Sequence, residues 1–332
     1  MNKFTLPVIF FVLVLSGCKK NKVSVPVGGS GGGGNPTPGQ LYQYQVTPGI
    51  TNPAIVNFNN PHFVYLDTRV TAKNKLFVFL PGTSANPSNY QMLLTAAAGM
   101  GFHSLGLMYP NNSDLYSVAA ASPDLTLFGK GRKEIFDGTD QVGGVSVDND
   151  NCIRTRLVKL LQYMNTTYPT QNWGQFLNGS TGVQWGKVVI AGHSQGGGHA
   201  LFISKQVLTD RAISFASIDW NSLLNTSAAW VSLPGATPVG QMYSINHTGD
   251  EIFNYTNVQA QIAAMGLTGP AVNIDIVLQP YSNSKTLTSS LNSILPFFPK
   301  HSMTCIDLYL PRTPTGDVID SYVKAWEYLF GK

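Results

Sequence analysis

The chain has 332 residues, of which only 11% are charged and 43% hydrophobic, with 33 glycines and 20 prolines. Its 21 basic and 17 acidic residues leave a net charge of +4, too small for the dense basic face that nucleic acid requires. So much apolar content with so little net charge excludes disorder, and three cysteines exclude a disulfide scaffold, which leaves one large or two small globular domains.

Residues 1–17 read as a secretory signal. Lys3 supplies its positive end, and the apolar run from Phe4 to Leu15 is too short to span a bilayer. Leu15-Ser16-Gly17-Cys18 resembles the bacterial lipobox, and the resemblance implies signal cleavage with lipid attachment at Cys18. Lys19, Lys20 and Lys22 would then meet anionic headgroups, and the Gly/Pro-rich remainder of 18–40 reads as a flexible tether. The expectation is a membrane-anchored protein of the bacterial cell envelope, facing the periplasm or the cell surface, with its folded domain over 41–332. Lys3, Lys19, Lys20 and Lys22 account for the whole excess charge, so the domain itself carries 17 residues of each sign.

Beyond residue 41, strands are expected at 63–70, 76–80, 104–109, 188–191, 212–218, 241–246 and 272–278. Ile153, Leu157, Leu160, Leu161 and Met164 recur at helical spacing behind Asp150 or Asn151 as N-cap, and helices are also expected at 200–208, 253–267 and 318–330. Continuous apolar strands alternating with helices predict an α/β fold with a largely parallel sheet. Residues 111–150 lack clear periodicity and read as a lid or insert. At their end, Asp148-Asn149-Asp150-Asn151 starts like a calcium loop but lacks its glycine and distal glutamate, so it reads as a helix cap. With no Cys/His cluster and no phosphate loop, no metal and no cofactor are expected.

The sharpest motif is Gly192-His193-Ser194-Gln195-Gly196, set between a buried strand and a helix. A serine on so tight a strand-to-helix turn stands clear of the sheet, and flanking glycines remove side chains that would collide there. The following helix would aim its free N–H groups at a developing oxyanion. On this motif, with Leu80-Pro81-Gly82-Thr83, Tyr109-Pro110-Asn111, Arg156-Leu157 and residues 191–200, the chain resembles the α/β-hydrolase superfamily from about residue 60 onward. It is most similar to a bacterial group of largely uncharacterised secreted or lipid-anchored hydrolases. The resemblance implies an α/β-hydrolase fold, a mostly parallel central sheet flanked by helices, with esterase- or lipase-type chemistry and no named substrate.

In that fold the triad runs in the order serine, acid, histidine. Ser194 is the expected nucleophile and Asp250 the preferred acid, with Asp219 and then Glu251 as alternatives. Of His62, His103, His193, His199, His247 and His301, only His301 lies beyond the acid, which makes it the expected base. Thr83 and Gln195 are the expected oxyanion-hole N–H donors, and His193, His199 and His247 read as structural. Trp220, Phe297 and Phe298 are candidates for the pocket wall, with core packing as the alternative. Cys152 and Cys305 could form a disulfide or remain buried thiols, and both readings stay open. The expected substrate is an uncharged or apolar ester, small or part of a lipid or polymer. The rival readings are a peptidase, thioesterase or acyltransferase on the same triad, and a surface-anchored binding protein with a vestigial hydrolase fold.

Overall fold

The computed structural model describes residues 39–267 and 269–332; the signal, the lipid site at Cys18 and nearly all of the tether lie outside the described residues. Nine strands form the main sheet: β1 (Leu41–Val46), β2 (His62–Asp67), β3 (Leu76–Leu80), β4 (His103–Gly106), β5 (Val188–His193), β6 (Arg211–Phe215), β7 (Met242–His247), β8 (Val272–Asn273) and β9 (Thr286–Ser289). Their spatial order is β1-β2-β4-β3-β5-β6-β7-β9-β8, and only β2 runs against the others. Besides a single turn at Pro48–Thr51, the α-helices among the described residues are α1 (Gln91–Gly99), α2 (Asp114–Ala119), α3 (Leu127–Asp137), α4 (Ile153–Thr167), α5 (Gln195–Gln206), α6 (Tyr255–Met265), α7 (Pro299–Ser302) and α8 (Asp320–Phe330).

Strand β3 is apolar throughout because both faces of the sheet are covered. In β3, Leu76, Val78 and Leu80 enter a core shared with Ile135 of α3, Leu157 of α4 and Phe202 of α5. Phe77 and Phe79 point the other way, into a second core with Leu93 of α1 and Trp326 and Leu329 of α8. The sheet separates the two cores.

Three sequence readings change here. The strand expected at 272–278 is only Val272–Asn273, after which Ile276 and Leu278 are each 80% exposed before Pro280. Its place beside β7 is taken by β9, whose Thr-Leu-Thr-Ser sequence is fully buried between β7 and the edge strand β8 but too polar to read as a strand. Residues 111–150 are not a free lid, since α2 and α3 form there and α3 buries Phe128, Arg132, Glu134, Ile135 and Phe136. Charged residues interrupt the apolar pattern of α3, yet they are satisfied inside; the Glu134 carboxylate, for one, accepts the N–H groups of Gln141, Val142 and Val147. Helix α4 is capped by Cys152, whose sulfur accepts the Thr155 N–H, rather than by Asp150 or Asn151.

The disulfide reading is also corrected, because Cys152 and Cys305 are both free and buried. Cys152 packs in the Leu157 core and Cys305 in the Trp326 core, so the sheet stands between them. Burial also pushes the Cys305 thiol well above its ordinary range. Alkylation without reductant is therefore expected to leave both thiols unmodified in the native protein and to modify both after denaturation. A mass shift for fewer than these two thiols in the denatured sample would contradict the packing.

Candidate active site

Strand β5 hands over to α5 through Ser194, which sits at φ 51° and ψ −119°. No non-glycine residue adopts that backbone without cost, so the surroundings must hold it. They do so by close approach. A Cβ on Gly192 would lie 2.3 Å from the Gly196 carbonyl, and one on Gly196 would lie 2.0 Å from the Leu80 oxygen. Glycine at both positions lets β3, β5 and α5 converge, and α5 starts at once with Gln195 rather than near residue 200. A helix-flanked, mostly parallel sheet whose central strand turns into a helix through a strained serine decides the architecture. The fold is that of the α/β hydrolases.

The loops at the carboxyl end of this sheet gather the polar groups. Asp250 follows β7, and its Oδ2 lies 2.8 Å from Nδ1 of His301 on α7, with both side chains buried. Its Oδ1 accepts the N–H groups of Ile252 and Phe253 at 2.8 and 2.9 Å. Burial would raise this carboxyl's pKa, but the His301 contact and the two backbone N–H groups prevail and hold it below the usual carboxylate range. Glu251 serves the backbone instead, accepting the N–H groups of Lys300 and His301 at 3.2 and 3.0 Å. Asp219 is elsewhere engaged, in a fully buried ion pair with Arg132.

The lowered pKa of Asp250 has a sign that can be checked. A carboxyl depressed on folding stabilises the native state above its unfolded pKa, near about 4, and loses that contribution as pH falls through the folded value. The stability gap between wild type and Asp250→Asn is therefore expected to be largest at neutral pH and to shrink below about pH 4. A gap constant down to strong acid, read from urea midpoints, would contradict the contact.

His193 is the functional neighbour whose role the sequence did not disclose. Its Nε2 lies 3.1 Å from the His301 carbonyl, and since a carbonyl only accepts, Nε2 carries the proton. Nδ1 then accepts from the Tyr90 hydroxyl at 3.0 Å, and that hydroxyl in turn accepts the Gly82 N–H at 3.1 Å. Burial, then the neighbouring His301, pushes the His193 pKa down to about 3, so the ring is neutral. One chain of hydrogen bonds thus joins the loop after β3 to the backbone of His301. His199 and His247 lie off this chain; the latter is held by the Leu291 carbonyl and the Gly249 N–H.

Thr83 and Gln195 are brought together, their side chains joined by a 2.8 Å bond from Thr83 Oγ1 to Gln195 Oε1. Neither backbone N–H has an acceptor among the described residues. Ser194, His301, Gly82 and Thr83 all line one cavity of about 340 Å³, with apolar walls from Tyr116, Ile252, Phe253 and Ile306. Phe253 sets its ring edge-on at 5.1 Å from that of His301. Trp220, Phe297 and Phe298 do not line this cavity. Trp220 pairs with Ser227 in a separate two-stranded ribbon, and Phe297 and Phe298 are 63% and 45% exposed. Proximity in sequence to His301 was a poor guide, whereas Ile252-Phe253, directly behind the acid, was the signal available. From residues 111–150 only Ser113 and Tyr116 reach the cavity.

No family model matches this chain, and no curated protein does. Among solved structures, it is similar to a Klebsiella pneumoniae protein provisionally described as a dienelactone hydrolase. The identity is 10%, the coverage 88% of this chain and 100% of that one, and the TM-score 0.47. A Xanthomonas campestris protein provisionally described as a hydrolase of the α/β superfamily is 14% identical, with coverage of 77% and 95% and a TM-score of 0.34.

Proposed function

We propose that this chain is a serine hydrolase of carboxylic esters. The observation that carries the reading is the 2.8 Å contact from His301 Nδ1 to Asp250, in the cavity that also exposes Ser194. With Nδ1–H donated to the carboxylate, the ring's Nε2 is the nitrogen left to accept a proton from Ser194. Ser194 Oγ then attacks the ester carbonyl, and the N–H groups of Thr83 and Gln195 receive the oxyanion. His301 returns the proton to the departing alcohol. It next takes one from water, whose oxygen attacks the acyl-enzyme and releases the acid, restoring Ser194.

The cavity favours an uncharged ester, since no Asp, Glu, Lys or Arg side chain lines it. A panel of p-nitrophenyl esters, anilides and thioesters tests this directly. Neutral esters are expected to turn over fastest; faster anilide or thioester cleavage would favour the peptidase or thioesterase reading. A preference for anionic esters would sink the apolar assignment. The reading also places the enzyme on a membrane through a lipid at Cys18. Incorporation of a labelled fatty acid, abolished by Cys18→Ala, is the expected result, and labelling that survives the substitution would remove the anchor.

A further inference from the structure

At the opposite edge of the sheet from Ser194 lies a second cavity, of about 180 Å³, lined by Lys73, Lys75, Asp210, Arg211, Gln241 and Tyr243 among others. It forms where β3, β6 and β7 begin: Lys75 directly precedes β3, Arg211 opens β6 and Gln241 precedes β7. The domain as a whole is neutral, yet three cations meet a single carboxylate here.

The cations are held in place by the fold. The Arg211 guanidinium lies 4.6 Å from the centre of the Tyr243 ring, and the Lys73 ammonium 4.8 Å from that of Phe102. Lys75 pairs with Asp210 at 2.7 Å. Lys73 donates to the Gly331 carbonyl, and Arg211 Nη1 donates to the Tyr328 and Leu329 carbonyls, which caps the carboxyl end of α8. A helix terminus offers only about half a negative charge, so capping does not balance the cluster. Arg211 Nε and Nη2 have no acceptor among the described residues. Burial, then repulsion from Lys75 and Arg211, lowers the Lys73 pKa.

We propose that this pocket binds a phosphate group, either free or carried on a lipid headgroup. A tetrahedral dianion matches the excess of two positive charges among the lining side chains. Arg211 presents the paired donors that suit phosphate oxygens, and Lys73 and Lys75 add compact point charges. At about 30 Å³ per water, the cavity also has room for bridging waters beside the anion.

The test uses the full chain at low ionic strength, with inorganic phosphate as the first probe in calorimetry. Saturable binding is expected, weakened at least about tenfold in Lys73→Gln/Arg211→Gln, while ester hydrolysis at Ser194 is unchanged. In the second arm, partition onto phosphatidylcholine vesicles with and without phosphatidic acid is compared. Subtracting the neutral vesicles cancels any lipid anchor, and subtracting the double variant cancels the leader's lysines. Phosphate binding without vesicle preference assigns a free phosphate, and a variant-sensitive preference for phosphatidic acid assigns the headgroup. Wild-type protein that neither binds phosphate saturably nor prefers phosphatidic acid overturns the proposal, whatever the variants do. Equal binding by wild type and a folded double variant, checked by thermal melting, overturns it as well. Loss of ester hydrolysis in Ser194→Ala leaves both arms untouched, so the two proposals fail separately.

Discussion

Ser194→Ala is expected to abolish covalent labelling by a fluorophosphonate probe and to lower kcat for esters by about a millionfold. The size follows from how the groups act together. In the proposed reaction Ser194 supplies the attacking oxygen, and His301 would have no proton to take once that oxygen is gone, so removing either is expected to cost nearly as much as removing both. His301→Ala is accordingly expected to fall in the same range, and Asp250→Asn to fall less far, because it disturbs the tautomer and orientation of the ring rather than the nucleophile. What little rate remains would come from Thr83, Gln195 and the walls of the cavity. The melting temperature should hardly move, since the Ser194 hydroxyl has no hydrogen-bond partner to lose among the described residues. Labelling of Ser194→Ala, or an unlabelled wild type, would remove the catalytic reading and leave the binding-protein alternative standing.

Arg132→Met is expected to destabilise the fold by about 3–5 kcal/mol, more than any surface change. Arg132 and Asp219 are both fully buried, joined by two hydrogen bonds at 2.5 Å. Burial works against the guanidinium charge, but attraction to Asp219 outweighs it and raises the pKa above its ordinary value. Deleting the arginine strands a buried carboxylate without its counter-charge, though the Trp230 indole still donates to it. Arg132 Nη1 also bonds the Gln195 carbonyl at 3.0 Å, so the first turn of α5 loses a support directly beneath the nucleophile. The double variant Arg132→Met/Asp219→Leu should recover much of the stability, because no unpaired charge remains inside. Urea midpoints for the two single variants and the double give the coupling. A loss below about 1 kcal/mol in the single variant, or no recovery in the double, would show that the pair does not hold α3 under α5.

These two expectations differ in how far the sequence could carry them. Ser194 was legible because its signal is local: glycines two positions before and after, a buried strand ahead and a helix behind. His301 was legible by chain order within the resembled superfamily. Arg132 was not, since a charged residue in a segment without clear periodicity looks solvent-exposed until a partner 87 residues away is found beside it. Asp219, an alternative acid by its place in the sequence, belongs to that pair. The walls of the cavity were misplaced for a related reason. Trp220 stands just past a strand end and Phe297-Phe298 just before His301, but which way each side chain faces depends on how its loop docks, and Trp220 is drawn into a ribbon with Ser227.

The sequence by itself determined the alternation of strand and helix, the elbow and the neutrality of the domain, all of which depend on spacing, steric bulk or simple charge. Only the tertiary structure decided that Asp250 rather than Asp219 meets His301, that His193 links two loops, and that Cys152 and Cys305 lie in different cores. Those outcomes depend on which face of the sheet a residue enters and which loops converge at its edge. Side-chain spacing along a strand sets the alternation of faces, but the crossing of the chain over a sheet sets what each face meets.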